Sequence, residues 1–221
     1  MFKTVVFDLD GTLLNTLDDL ADSSNRVCAA RGWPTYGRDR YRYFVGNGIP
    51  KLVERFTPQP CRTPETLAAV LAEFQADYGA HLKDSTAPYP GVPELLARLK
   101  AAGVQLAVYS NKADPFARQV AADYFDPALF DLVRGARPGV PVKPAPQGTR
   151  ELLAALHADP ARTLYVGDSN VDVQTAHNAG LPCCGVLWGF RTREELAAEG
   201  AEFLAENAAQ LEQVILEGEL Q

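Results

Sequence analysis

A short apolar run, TVVF (residues 4–7), ends on two aspartates one residue apart, Asp8 and Asp10, followed by Gly11 and Thr12. Closing a buried strand on paired negative charges does nothing for folding, so the charges point to chemistry. Two other polar groups stand in the same relation to apolar runs. Ser110 and Asn111 follow VQLAVY (104–109), and GDSNVD (167–172) follows TLYV (163–166). Carboxylates drawn into one crevice repel by roughly 4 kcal/mol per pair at about 4 Å and an effective dielectric of about 20. A hard divalent cation relieves that repulsion. Mg2+ takes oxygen ligands, keeps waters, and is typically held by one or two carboxylates and a substrate phosphate. Asp8, Asp168 and Asp172 are its natural ligands here, and the lack of Cys and His neighbours favours oxygen-only coordination.

Such a set suits phosphoryl transfer. Asp8 can attack phosphorus and carry an aspartyl-phosphate. Asp10 can protonate the departing alkoxide and then deprotonate the water that hydrolyses the intermediate. Lys143, set among prolines in VPVKPAPQG (140–148), is the cation that would offset the repulsion between nucleophile and phosphate. The Ser110 hydroxyl and backbone N–H groups would hold phosphoryl oxygens. Each group also has a purely structural alternative: a turn at Asp10-Gly11, a helix N-cap at Ser110-Asn111, a cap at Asp168 or Ser169, a solvated loop position for Lys143.

Positioning these residues requires a sheet. TVVF, VQLAVY, TLYV and CCGVL (183–187) read as short buried strands, separated from Gly91 onward by helical patterns. GVPELLARLKAAG places Leu95, Leu96 and Leu99 on one face and stops at Gly103. This alternation predicts an α/β fold, a parallel sheet with helices on both faces. Open sheets of this kind bind ligands at the carboxyl ends of their strands, where all three polar groups fall. Residues 16–84 break the rhythm. LDDLADSSNRVCAARG, IPKLVERF and TPETLAAVLAEFQADYGAHL are amphipathic, with no convincing buried strand, and predict a helical insertion after the first strand.

Composition narrows the function class. The chain has 221 residues, 47% hydrophobic and 22% charged, enough for one core or a core plus a small second unit. A formal net charge of -7 and the absence of a basic cluster argue against nucleic acid as a partner. Cys28, Cys61, Cys183 and Cys184 lack CxxC spacing, so a zinc site and a disulfide framework are not expected. No run is long enough for a membrane span or a signal-peptide core, which makes the reduced cytoplasm the expected compartment.

DLDGTL (8–13), YSNK (109–112), VKPAP (142–146) and GDSNVD (167–172) resemble the four ordered motifs of the haloacid dehalogenase superfamily of phosphohydrolases. The resemblance implies a Rossmann-like catalytic core over residues 1–15 and 85–221 with a helical cap over 16–84. It also implies roles: Asp8 as nucleophile, Asp10 as acid/base, phosphate contacts from Gly11, Thr12, Ser110, Asn111 and Lys143, and Mg2+ held by Asp8, Asp168 and the Asp10 carbonyl. Asp172 would support the metal or Lys143. An aspartate at position 10 favours phosphatases and phosphomutases over the dehalogenases and phosphonate-cleaving relatives.

RYFVGNGIPKLV (42–53) is similar to the cap segment of phosphoglycolate phosphatases, with Gly46, Asn47 and Gly48 expected to meet substrate as the cap closes. A Gly-Asn-Gly turn between helices is the competing reading. The expected substrate is a small phosphorylated metabolite, 2-phosphoglycolate first. A pyrophosphatase or a β-phosphoglucomutase-like sugar phosphomutase shares the motifs, and a phospho-accepting signalling module is a distant alternative. Neither the oligomeric state nor the roles of Arg42, Lys51 and Arg191 can be read from the sequence.

Overall fold

The computed structural model describes residues 1–218. In chain order its elements are β1 (Thr4–Phe7), β2 (Leu14–Asn15), α1 (Leu17–Ala30), α2 (Arg38–Phe44), α3 (Ile49–Phe56), α4 (Pro64–Ala80), β3 (Ala87–Pro88) and α5 (Val92–Ala101). Next come β4 (Gln105–Ala113), α6 (Asp114–Tyr124), β5 (Leu132–Ala136), α7 (Gln147–Leu156), β6 (Thr163–Gly167) and α8 (Asn170–Ala179). The chain continues with β7 (Cys183–Val186), α9 (Arg193–Ala198), β8 (Phe203–Ala205) and α10 (Ala208–Glu217).

Six strands form one parallel sheet in the order β5-β4-β1-β6-β7-β8. Chain order runs outward from β1 through β4 to β5, then returns to β1's other edge at β6. The crevice outside the carboxyl ends of β1, β4 and β6 therefore lies at a topological switch point. All four residues of β1 are buried, as a central strand covered on both faces requires. Val5 and Phe7 face one core with Leu95, Leu96 and Leu99, whereas Val6 faces the other with Leu152 and Leu153. Cys184 and Cys183 divide the same way, which explains two adjacent thiols as core packing. Burial pushes Cys28 up to about 11 and Cys184 up to about 12, so both stay as inert thiols.

Helices α1 to α4 lie in the chain between β2 and β3, which pair antiparallel and close the two connections to the helical unit. Buried Asp19 on α1 reinforces that junction, accepting from Ser85 N (2.8 Å), Thr86 N (2.9 Å) and Thr86 Oγ1 (2.6 Å). Leu20, Tyr41, Leu52, Phe56, Phe74 and Tyr78 are continuous with the core on the β1 face rather than forming a separate cluster. No helix among the described residues is long and apolar enough to cross a membrane.

Several elements depart from expectation. β5 and β8 are absent from the sequence reading, because LVRGA is an only partly buried edge strand and FLA is three residues long. α2 and α9 are short and carry no long apolar stripe. β4 does not end at Tyr109. It runs on through Ser110, Asn111 and Lys112, and α6 starts after Ala113, so Ser110-Asn111 is no helix cap.

Candidate active site

Asp8 follows β1 directly, its N–H donating to Val166 O at 2.8 Å and extending the parallel ladder by one residue. Lys143 reaches it from the loop before α7, its ammonium 2.8 Å from Asp8 Oδ1 and 2.7 Å from Asp172 Oδ1. Asp172 is in the first turn of α8, and its other oxygen accepts from Ser169 N (3.1 Å) and Ser169 Oγ (2.6 Å). Ser169 is the N-cap of α8, so one carboxylate both caps a helix and anchors the lysine. Asp168 accepts from Phe190 N at 2.7 Å and from Thr12 Oγ1 at 3.3 Å.

Asp8, Asp168 and Asp172 are buried, and each offers a carboxylate oxygen within 4.8 Å of the others. Burial pushes Asp8 up to about 7; Lys143 pulls it back in part, and Asp172 and Asp10 push the same way as burial. Asp168 is raised strongly by burial and then by Asp172 and Asp8. Burial opposes charge on Lys143, yet Asp172 and Asp8 outweigh it and hold the ammonium well above its ordinary value. Among the described residues the Lys143 ammonium is the one polar partner of Asp8 Oδ1. Three buried, mutually repelling carboxylates offset by a single ammonium are the donor set a hard divalent cation stabilises.

Glycine packs this floor. A Cβ on Gly11 (φ +90°) would lie 2.4 Å from Asp168 Oδ2, and one on Gly189 would lie 2.2 Å from Asp168 Cβ and 2.5 Å from Gly11 O. Trp188 Nε1 ties the same two loops together by donating to Thr12 O at 2.9 Å. Gly11 and Thr12 thus pack against Asp168, and the crevice beside them is walled by Asp8, Asp10, Ser110, Asn111 and Lys112 below and Leu20, Val45, Gly46, Gly48, Ile49 and Leu52 above. Asn111 is a connector. Its Oδ1 accepts from Lys143 N (2.8 Å), and its Nδ2 donates to Lys143 O (3.2 Å) and to Gly46 O (3.1 Å).

The crevice is half open to solvent, and its space for ordered water is about 30 Å3, room for about two waters. An outer cavity of about 590 Å3 shares Gly48, Ile49 and Asn111 as a wall and is otherwise framed by α3, α4 and the Ala136 and Val142 loops. Asn47 lines this outer cavity, its Oδ1 turned to Arg55 Nη2 at 2.8 Å. Lys51 pairs with Glu54 at 2.7 Å on the exposed side of α3. Arg191 donates to the Arg42 carbonyl and lies over the Tyr43 ring at 5.0 Å, strapping the β7–α9 loop to α2.

Lys112 on the crevice wall and its partner Tyr78 are assigned no role by sequence reasoning. Lys112 is buried, 3.0 Å from Asp10 Oδ1 and 2.7 Å from the hydroxyl of Tyr78 on α4. Burial opposes its charge, but Asp10 and Tyr78 more than compensate, raising it above the usual lysine value. The two-residue period of a strand would have marked Lys112 as sharing a face with Ser110. No local signal marks Tyr78.

A strand running into a buried aspartate, a lysine and a carboxylate cluster at the switch point of a parallel sheet form a site of the haloacid dehalogenase type. The family model for haloacid dehalogenase-like hydrolases matches residues 5–186, and the chain belongs to that family. A phosphoglycolate phosphatase of Haemophilus influenzae (strain 86-028NP) is 32% identical over 216 residues, covering 95% of this chain and 96% of its own. Another, of Rhodobacter capsulatus, is 36% identical over 193 residues, covering 86% and 87%. A crystal structure from Lactobacillus delbrueckii subsp. bulgaricus, described as a candidate phosphoglycolate phosphatase, superposes with a TM-score of 0.91 at 30% identity, covering 97% and 98%.

Proposed function

We propose that the protein hydrolyses a small phosphorylated metabolite, 2-phosphoglycolate first, to the alcohol and inorganic phosphate. In class it is a phosphoric monoester hydrolase, as its family and the phosphoglycolate phosphatases it resembles indicate. The observation that carries the mechanism is Asp8 itself: a buried carboxylate at a strand end, 2.8 Å from the Lys143 ammonium and clustered with Asp168 and Asp172. An Asp8 oxygen attacks phosphorus as the ester P–O bond breaks. Asp10 gives its proton to the leaving oxygen, then takes one from the water that attacks the aspartyl-phosphate and releases phosphate. Ser110 and Lys143 hold the phosphoryl oxygens. Mg2+ held by Asp8, Asp168 and the Asp10 carbonyl would supply charge neutralisation there. Both Asp172 oxygens are occupied by Lys143 and Ser169, which supports its role as the anchor of Lys143.

Residues 16–84 act as the cap and residues 1–15 with 85–221 as the core, of which 219–221 lie outside the described residues. Substrate would enter by the outer cavity and the crevice would widen to admit it, Gly46 and Gly48 presenting backbone to the substrate. With its thiols free, the protein suits the reduced cytoplasm. A related structure, a CbbY variant from Rhodobacter sphaeroides (26% identity, TM-score 0.80), holds xylulose-1,5-bisphosphate, which keeps sugar phosphates in view. Purified protein with Mg2+ should release phosphate from 2-phosphoglycolate far faster than from β-glucose 1-phosphate or pyrophosphate. A reversed order, or isomerised sugar phosphate, would refute the substrate assignment.

A further inference from the structure

Lys112 is a buried cation that the hydrolytic scheme above does not use. It sits on the crevice wall beside Asp10, the residue assigned to the leaving oxygen. An ammonium has three N–H donors. Asp10 Oδ1 takes one and the Tyr78 hydroxyl a second, and among the described residues no third acceptor is present. A cation with a free donor on the crevice wall offers a site for an anionic group of a bound molecule. Asp10 holds Lys112 through Oδ1, which leaves Oδ2 to meet the leaving oxygen.

Resting on the phosphatase reading, we propose that Lys112 is a specificity-determining residue that binds a carboxylate on the leaving portion of the substrate. The carboxylate carbon of a 2-phospho acid is two bonds from the ester oxygen. A proton donor on that oxygen therefore places the carboxylate beside the donor's own partner, Lys112. Tyr78 belongs to α4, so the helical unit contributes the second anchor that aims the ammonium. Selection of the acid and seating of the cap are then one event. An open cap removes the phenol and leaves the lysine with Asp10 alone.

The test compares 2-phosphoglycolate with 2-hydroxyethyl phosphate, which has a similar leaving alkoxide but no carboxylate. Wild-type enzyme should prefer the acid in kcat/KM. Lys112→Met, checked by circular dichroism and melting, should erase that preference by about 100-fold, mainly through KM for the acid, as loss of a charged hydrogen bond predicts. Any effect through Asp10 lowers kcat for both esters alike and cancels in the ratio. Equal losses on the two substrates would make Lys112 a positioning residue for Asp10 and overturn the carboxylate contact, with the phosphatase reading intact. A wild type that hydrolyses both esters without preference would overturn it too. Hydrolysis of neither, alongside turnover of other phosphate esters, would instead remove 2-phosphoglycolate from the proposed function. If Lys112→Met does not fold, Lys112→Gln, which keeps a hydrogen bond without the charge, is read by the same ratio.

Discussion

The floor and the roof of the crevice are built by different means. In the floor, Asp8 and Asp168 come from two strand ends, Asp172 from the first turn of a helix and Lys143 from a loop, yet each is held by a local device. A ladder bond holds Asp8, a capping serine holds Asp172, a backbone N–H holds Asp168, and an asparagine holds the Lys143 main chain. Two glycines let the loops close on Asp168 with no room for a methyl group. In the roof, Gly46 and Gly48 have open space or ordinary contact around them, and the polar ties to the core include the Asn111–Gly46, Lys112–Tyr78 and Arg191–Arg42 bonds. A floor closed around its carboxylates and a roof with open space at its glycines suit chemistry that needs fixed charges below and an adaptable cover above.

The largest expected effect is on the floor. Asp8→Asn should lower kcat by about 10⁴-fold or more while the fold persists, measured as phosphate release beside a melting curve; undiminished turnover would displace Asp8 as nucleophile. Next, Gly189→Ala should lower kcat/KM by roughly 100-fold and destabilise by about 1–3 kcal/mol, because its methyl group meets Asp168 and the Gly11 backbone. Gly46→Ala, at φ +108° but in open space, should cost about 1–2 kcal/mol of backbone strain with a much smaller loss of activity. Similar losses from the two glycine variants would erase the distinction between floor and roof.

The pH dependence of stability sharpens the same point. Asp8 lies at about 7 in the fold against an ordinary 3.8, so between those values the native state binds more protons than the unfolded chain. That stabilisation is complete below about pH 4 and is lost as pH rises through 7, with Asp168 shifted the same way. Metal-free protein should therefore lose stability from pH 5 to 7.5, on the order of a few kcal/mol and visible as a falling melting temperature, with a flatter profile in Asp8→Asn or with added Mg2+. A flat metal-free profile would contradict the burial argument. The smallest effect belongs to the strap: Arg191→Ala should change stability by less than about 1 kcal/mol and raise KM about 2–5-fold.

Much of the floor was legible from the sequence because strand ends are local. An apolar run followed by Asp8, Ser110 or Asp168 needs only the strand to place the side chain, and the switch-point rule brings the three together. The parallel sheet was legible for the same reason, except where edge strands β5 and β8 are too short or too exposed to show a pattern. The helical insertion was visible as amphipathic stretches, although α2 carries no such stripe.

What the sequence alone determined is the set of charges and their places at strand ends, since period and apolar runs act over a few residues. Tertiary structure decided which of them work together. It packed Gly11 and Thr12 against Asp168, turned Asn111 into a tie, engaged both oxygens of Asp172, and set Tyr78 against Lys112 across 34 residues of chain. Such pairings depend on how helices pack over a sheet, and that packing sums many weak contacts no local pattern encodes.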